Sequence, residues 1–186
     1  MSKKTEFLEK IYFHELDRKQ GLENMFALPS GVIAGLFGLI GYYFTKFNFG
    51  QIGPWVSVIK IGFLAAAVAA VALLLLASFW CALAVNGSEY EHLPGAKTLD
   101  DYWHELENWH KINKSRSPKN KSDADFESFL EDAYARCSQK NWKTNLYRSE
   151  ELFRAKRAIT YAIFVVVILS ICYYINFWLG SLPTNQ

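Results

Sequence analysis

The chain has 186 residues, 51% of them hydrophobic, and a formal net charge of +2 at neutral pH. Its mean hydropathy of +0.01 would fit a soluble domain, but this value averages two unlike populations, because the apolar residues come in long blocks. A chain this short has too little polar surface to wrap several helices that are apolar on every face, which argues against a soluble globular protein. The odd number of cysteines, two of them inside apolar blocks, indicates neither a disulfide framework nor a metal site.

Residues 1–27 precede the first apolar block and are rich in charge. Their apolar side chains recur at helical spacing, which predicts an amphipathic N-terminal helix on the cytoplasmic side. The apolar block begins late and has no obvious processing site. We therefore expect no cleavable signal peptide and a retained first span.

Three apolar stretches are long enough to cross a bilayer, since a helix needs about 20 mostly apolar residues to traverse roughly 30 Å of hydrocarbon. The stretches at about 28–47 and 55–85 predict a transmembrane hairpin over 28–86. The stretch 158–182 predicts a third transmembrane helix, followed by a short external tail at 183–186.

The first span carries small residues at four-residue steps, Gly31 with Gly35 and Ala34 with Gly38. Such pairs let two helix backbones approach closely in lipid. The pattern fits association between several copies and packing among the three spans of one chain about equally well.

Lys60 is the one charged residue that lies clearly inside a predicted span. An ionisable residue inside the membrane is by default a functional-site hypothesis, here a position in a pore. Lys60 also lies close enough to Trp55, at the outer end of the span, for its ammonium to snorkel to the interface. We favour this second interpretation.

Residues 87–157 have the composition of soluble helices, with charges of both signs. A loop is predicted at 89–97, and an amphipathic helix capped by Thr98 or Asp100 is predicted after it.

A polar, basic and proline-broken connector is predicted at 114–122. A further helix, capped by Ser122 or Asp123, is predicted to follow and can continue into the third span. Together with the N-terminal helix, these segments are expected to form a small cytoplasmic helical bundle.

The lysines and arginines set the expected orientation. All but two of the 20 lie before the first span or between the second and third. Positive charge beside a span is retained on the cytoplasmic side, so the N-terminus is predicted to be cytoplasmic and the C-terminus external. The expected location is a bacterial inner membrane.

A basic stretch just before the third span contains Lys140, Lys143 and Arg148 with Trp142 in its midst. Cations interleaved with an aromatic ring suit a ligand with phosphates and stacking bases. A solvated juxtamembrane face attracted to anionic lipid explains the same residues, and from the residues alone we favour it.

No catalytic set can be assembled from the sequence, which has no HExxH motif, glycine-rich phosphate loop or Ser-His-Asp set. His104 and His110 are six residues apart and do not share a helical face, so no metal site is expected. We predict that the chain is not an enzyme and binds no cofactor.

Several segments resemble small transmembrane effectors of bacterial anti-phage defence systems. These are Phe-Leu-Glu-Lys-Ile-Tyr-Phe-His-Glu-Leu-Asp-Arg-Lys with the later Leu-Pro-Ser-Gly, Asp-Asp-Tyr-Trp-His-Glu-Leu-Glu, and Tyr-Arg-Ser-Glu-Glu-Leu-Phe-Arg-Ala-Lys-Arg leading into the third span. The family that the chain most resembles is the Hailong type of membrane effector.

The resemblance implies a homo-oligomer, such as a tetramer, that forms an ion channel or a membrane-disrupting pore. It implies control by a nucleotide or short oligonucleotide made by a partner nucleotidyltransferase. On this chain the spans would form the pore, with Gly31, Gly35, Gly38 and Lys60 as packing or pore positions. The ligand contacts would be Lys140, Trp142, Lys143 and Arg148.

Two alternatives stay open at this point. One is a membrane sensor or scaffold that recruits a soluble defence effector, like the membrane component of the Kiwa system, although four spans are expected there and three are counted here. The other is a toxin-like membrane protein without nucleotide control.

Overall fold

The computed structural model describes residues 2–50, 53–86, 89–113 and 117–181. Over these residues the chain forms α-helices and no strand, which confirms the all-α prediction. The helices are α1 (Lys3–Asn24), α2 (Ala27–Lys46), α3 (Pro54–Asn86), α4 (Ala96–Ile112) and α5 (Pro118–Ser181). The predicted tail at 183–186 lies outside the described residues, as does residue 182.

Three helical stretches of the described chain are long and apolar enough to cross a bilayer. They lie within Lys3–Lys46, Trp55–Asn86 and Pro118–Gly180. Large apolar side chains stay exposed on them, such as Val68, which is 69% exposed, and Phe164, which is 64% exposed. An extensive exposed apolar surface of this kind is suited to lipid. The chain is accordingly a multi-pass membrane protein.

The predicted caps of α4 are wrong. The residue that precedes the helix is Gly95, whose carbonyl accepts a hydrogen bond from the Leu99 amide at 3.1 Å, and no side chain caps this end. Thr98 and Asp100 lie inside the helix instead. The backbone is extended at Gly95 and helical from Ala96, and the first helical hydrogen bond is made by main-chain groups alone.

The predicted start of α5 is also wrong. The helix begins at Pro118, where the fixed φ of proline and its missing amide suit a first helical position. The hydroxyl of Ser122 donates to the carbonyls of Pro118 and Lys119 within the helix and caps nothing. The predicted connector is therefore helical from 118 onward, and its residues 114–116 lie outside the described residues.

The chain divides into two compact units, and α5 contributes residues to both. Unit 1 comprises Met1–Leu22 and Ser88–Tyr147. Unit 2 comprises Glu23–Gly87 and Arg148–Gln186.

In unit 1, the start of α1 is anchored on two carboxylates of α5. The Ser2 hydroxyl accepts a hydrogen bond from the Thr5 amide at 3.1 Å, which caps α1. Thr5 is fully buried, with its hydroxyl 3.1 Å from Glu127 and 3.0 Å from Glu131. The Lys4 ammonium lies 2.7 Å from Glu131. This network holds the first turn of α1 against α5.

Aromatic and polar contacts hold α4 against α5 in the same unit. The rings of Tyr102 and Phe129 lie 4.7 Å apart. The indole of Trp103 donates to Asp123 at 3.0 Å. Near the end of α4, the buried His110 ring lies 2.8 Å from Asp125. These three contacts hold α4 against the first turns of α5.

A segment without regular secondary structure leads into α4 within unit 1, and buried asparagines of α5 clamp it. The Asn141 amide accepts from the Glu91 N–H at 2.9 Å and donates to the Glu91 carbonyl at 3.0 Å. The Asn145 amide accepts from the Tyr90 hydroxyl at 2.6 Å and donates to the Glu15 carbonyl of α1 at 2.7 Å. Both asparagines are fully buried.

Unit 2 is built on a seam of small and apolar side chains. Along α3 one series of buried positions recurs every three or four residues, at Phe63, Ala66, Ala70, Leu74, Ala77, Cys81 and Ala84, and Ala67 is buried beside it. Along α5 the same spacing gives Leu152, Ala155, Ile159, Ala162, Val166, Leu169 and Tyr173. This heptad-like repeat keeps one stripe of each helix facing its partner over many turns.

The far end of unit 2 is closed by aromatic stacking and a third asparagine. The rings of Phe47 and Phe63 stack with centroids 4.0 Å apart. Asn176, which is 1% exposed, accepts from the Asn48 amide at 3.1 Å and donates to the Asn48 carbonyl at 3.3 Å. The segment after α2 is thus held through both the N–H and the C=O of Asn48.

We expect Asn141→Ala to destabilise unit 1, because it leaves the half-buried N–H and C=O of Glu91 without their partner. The free energy of unfolding should fall by about 1–3 kcal/mol, and hydrogen exchange of the Glu91 amide should accelerate. Asn108→Ala, at an exposed position of α4, is the matched control. An unchanged Glu91 exchange rate in Asn141→Ala would contradict the clamp.

The anchor of α1 should weaken in acid. The Lys4 ammonium and the Ser2 hydroxyl lower the pKa of Glu131 from 4.5 to about 2. A carboxyl whose folded pKa is depressed stabilises the fold above its unfolded pKa, and this stabilisation is lost between about pH 4.5 and about pH 2. Hydrogen-exchange protection of the first turns of α1, corrected for intrinsic rates, should fall across that window. In Glu131→Gln the protection of these turns should already be lower at pH 6, and it should fall less as the pH decreases.

Candidate functional site

The small residues of α2 lie on an exposed face of that helix. Gly31, Gly35, Gly38 and Gly41 are all exposed, as is Ala34 between them. A methyl group added at any of the four glycines would find no atom within 4 Å. We call this surface, defined by the four glycines and Ala34, the glycine face.

The opposite face of α2 makes the contacts within unit 2. Ile40 and Tyr43 are buried there, and Ile33 and Leu36 pack against the same core. At 100° per residue, these side chains project about half a turn away from Gly31 and Gly35. Among the described residues these glycines therefore take no part in close packing within the chain, which was one of the two interpretations of this pattern.

Span two uses its small residues differently. Ala66 and Ala70 are buried in the core of unit 2. A methyl group at Gly62 would lie 3.8 Å from the Cys172 sulfur of α5, which is ordinary contact. The small residues of α3 thus allow close approach within the chain, whereas the glycine face is left without a partner among the described residues.

An apolar groove between α2 and α3 adjoins the glycine face. Its volume is about 650 Å³, and it is open on one side. Gly41 belongs to both surfaces, and the remaining lining includes Phe37, Phe44, Val68 and Ala72. The exposed surface of α2 is therefore apolar and borders an open groove, against which another helix can pack.

Lys60 binds a main-chain carbonyl. Its ammonium donates to the carbonyl of Phe49, in the segment that follows α2, at 2.5 Å. This contact places the charge at the end of the helix hairpin, where snorkelling was predicted. Its role as a pore position stays a prediction.

The two lysines of the basic stretch share one face of α5. Lys140 and Lys143 are three residues apart and exposed. The Lys140 ammonium lies 4.0 Å from a carboxylate oxygen of Glu91, an exposed and weak pair.

Trp142 lies on another side of the helix, at a pocket of about 540 Å³ in unit 1. Leu8 and Ile11 of α1 line this pocket together with Ser138 and Gln139 of α5. The structure therefore brings the two lysines together but does not place the indole beside them.

Arg148 is buried, being 4% exposed, and its guanidinium is occupied by main-chain and acidic partners. It donates to the carbonyl of Ala84 at 2.8 Å and lies 3.7 Å from Glu23. Ala84 is in the last turn of α3, where carbonyls lack a partner within the helix and favour a cation. Arg148 thus fastens α5 to the end of span two.

Sequence reasoning missed three asparagines, Asn141, Asn145 and Asn176, which are among the most buried polar side chains. Their burial could have been predicted from the sequence, because they continue the three- and four-residue spacing of the apolar seam along α5. A search for apolar residues alone breaks off at each of them. Arg148 lies on the same repeat, and its burial follows from that position.

Within the described residues, no group of three His, Cys, Asp or Glu side chains is placed to hold a metal ion. Comparison of the chain with protein-family models, curated proteins and solved structures gives no match.

Because Arg148 is buried and Lys143 is exposed, substitutions at the two positions should differ in their effect on stability. Arg148→Gln removes a charged donor from a buried carbonyl, and the free energy of unfolding should fall by about 1.5–3 kcal/mol. Lys143→Gln changes an exposed side chain, and its effect should stay within about 0.5 kcal/mol. Unfolding of the detergent-solubilised chain measures both. Equal stability of the two variants would contradict the assigned role of Arg148.

Proposed function

We propose that the chain assembles in the membrane as a homo-oligomer whose spans form a gated ion pathway. The exposed glycine face carries this proposal. Three helices are too few to enclose an aqueous path, so several copies are needed. A row of glycines that no other described helix of the same chain covers is suited to the backbone of a helix from another copy.

The shape of the surrounding surface supports the same assembly. The groove between α2 and α3 adjoins the glycine face at Gly41 and gives a neighbouring helix an apolar surface to pack against. In lipid, helix association depends on such close packing, because the hydrophobic effect does not distinguish lipid from another apolar helix. The glycine face and the groove together form the proposed contact between copies.

Unit 1 is the proposed control element. The helix α5 contributes residues to unit 1 and to the third apolar stretch, so it is the proposed route by which ligand binding acts on the spans. The exposed pair Lys140 and Lys143 offers positive charge for a phosphate-bearing ligand. Trp142 offers an exposed ring for stacking on a separate face, so a ligand that used all three would have to wrap around the helix.

The biological setting of the proposal rests on the resemblance to Hailong-type effectors. In that setting a partner nucleotidyltransferase supplies a nucleotide or short oligonucleotide that controls the pathway. Its opening depolarises the bacterial inner membrane and stops growth before phage mature. The distribution of lysines and arginines supports a cytoplasmic location for unit 1.

A sensor or scaffold is the second candidate, and one observation favours it. Trp109 and Ile112, at the end of α4, are 58% and 79% exposed. Exposed aromatic and aliphatic side chains on a polar unit suit a docking partner. A protein of this kind would recruit a soluble effector and would not conduct.

We expect Gly35→Leu to block assembly. A Cβ at position 35 would lie more than 4 Å from the other described helices, so the fold should persist, whereas the leucine obstructs the approach of a second backbone. The dissociation constant between copies should rise at least about tenfold, which corresponds to about 1.4 kcal/mol. Light scattering on the purified chain in detergent measures the oligomer, and planar-bilayer recording measures conductance.

Ala69→Leu is the matched control, because it adds the same side chain at an exposed position of α3. It should leave assembly and conductance unchanged. A Gly35→Leu chain that keeps the wild-type oligomer would refute the role of the glycine face. A wild-type oligomer that never conducts, and never depolarises cells on induction, would favour the scaffold.

A further inference from the structure

A second cleft in unit 2 lies where the third apolar stretch begins. It has a volume of about 180 Å³ and is formed by α3 and α5. Its lining includes two arginines, two aromatic rings and two leucines: Arg154, Arg157, Trp80, Tyr161, Leu73 and Leu76. We call it the arginine cleft.

The two guanidinium groups differ in how they are held. The carbon of the Arg154 guanidinium lies 5.2 Å from the centre of the Trp80 ring, and one of its nitrogens lies 3.0 Å from Glu151. The Arg157 guanidinium lies 5.9 Å from the Phe153 ring. No carboxylate of the described residues pairs with Arg157, and none lines the cleft. The cleft therefore carries net positive charge.

Polarity changes with depth in the cleft. The helices α3 and α5 run in opposite directions, and Trp80 lies level with Arg154. Seven residues further along α5 is Tyr161, and seven residues back along α3 is Leu73, each about 10 Å away along its helix. The cationic end therefore adjoins the polar boundary of the third apolar stretch, and the apolar end lies within that stretch.

We propose that the arginine cleft binds an anionic phospholipid. The phosphate would lie against Arg154 and Arg157, and an acyl chain would follow Leu76, Leu73 and the Tyr161 ring. A guanidinium offers several N–H groups in a fixed fork that matches phosphate oxygens. Basic pockets between transmembrane helices are suited to anionic head groups, and a tryptophan beside them is suited to the interface.

The apolar half of the cleft distinguishes this ligand from a soluble phosphate. A free phosphate would contact only the arginines, and the exposed Lys156 nearby would attract it as well. A phospholipid buries apolar surface along the leucines in addition. Lipid binding in the arginine cleft does not require assembly through the glycine face.

The test is native mass spectrometry of the full chain, released from detergent and titrated with phosphatidylglycerol or with phosphatidylcholine of the same acyl chains. The apparent affinity for phosphatidylglycerol should be at least about fivefold higher. Arg157→Gln should reduce it about fivefold. Lys156→Gln removes the same charge at the same depth from an exposed position that does not line the cleft, and should change it less than about twofold.

Thermal unfolding gives a second readout. Phosphatidylglycerol should raise the melting temperature of wild type and Lys156→Gln more than that of Arg157→Gln. Equal binding of the two lipids would overturn the proposal, as would equal weakening by the two substitutions. Displacement of phosphatidylglycerol by glycerol 3-phosphate at comparable concentrations would also overturn it, because the site would then recognise a soluble phosphate.

Discussion

The structure depends on one stripe of α5. From Asn141 to Asn176 one series of buried positions on this helix follows steps of four and three residues without interruption, and Glu151 and Ala158 are buried beside it. A repeat of seven residues over two turns is slightly tighter than the 3.6 residues of a free helix, so the stripe keeps facing its partners only if the helices wrap around one another. The middle of the stripe is apolar, and its polar members lie toward the ends.

Each polar residue of this stripe binds a main-chain carbonyl. Asn141 donates to Glu91, Asn145 to Glu15, Arg148 to Ala84 and Asn176 to Asn48. The carbonyls of Glu91 and Asn48 lie in connecting segments, and that of Ala84 lies in the last turn of α3, where helical hydrogen bonding leaves acceptors unused. Buried polar groups with such partners cost little, and they fix which segment meets which part of α5.

The all-helical fold and the apolar spans could be predicted because long apolar blocks allow few other structures. The starts of α4 and α5 could not, since the cap rule looks for polar side chains, whereas Gly95 and Pro118 begin these helices through backbone geometry. Arg148 was grouped with Lys140 and Lys143 because they are close in sequence. Helical spacing separates them, since Arg148 belongs to the buried stripe and the lysines do not. The orientation of the glycine face depends on which side of α2 packs, which the glycines alone do not specify.

The asparagine clamps have a consequence for how this sequence can diverge. Asn141 and Asn176 recognise an N–H and a C=O, which nearly every amino acid supplies. Positions 91 and 48 can therefore drift widely in side-chain chemistry while the clamps persist, with proline as the one residue that lacks the required N–H. In related chains the connecting segments would then differ freely in composition but keep their length, and the asparagines of α5 would be the fixed partners.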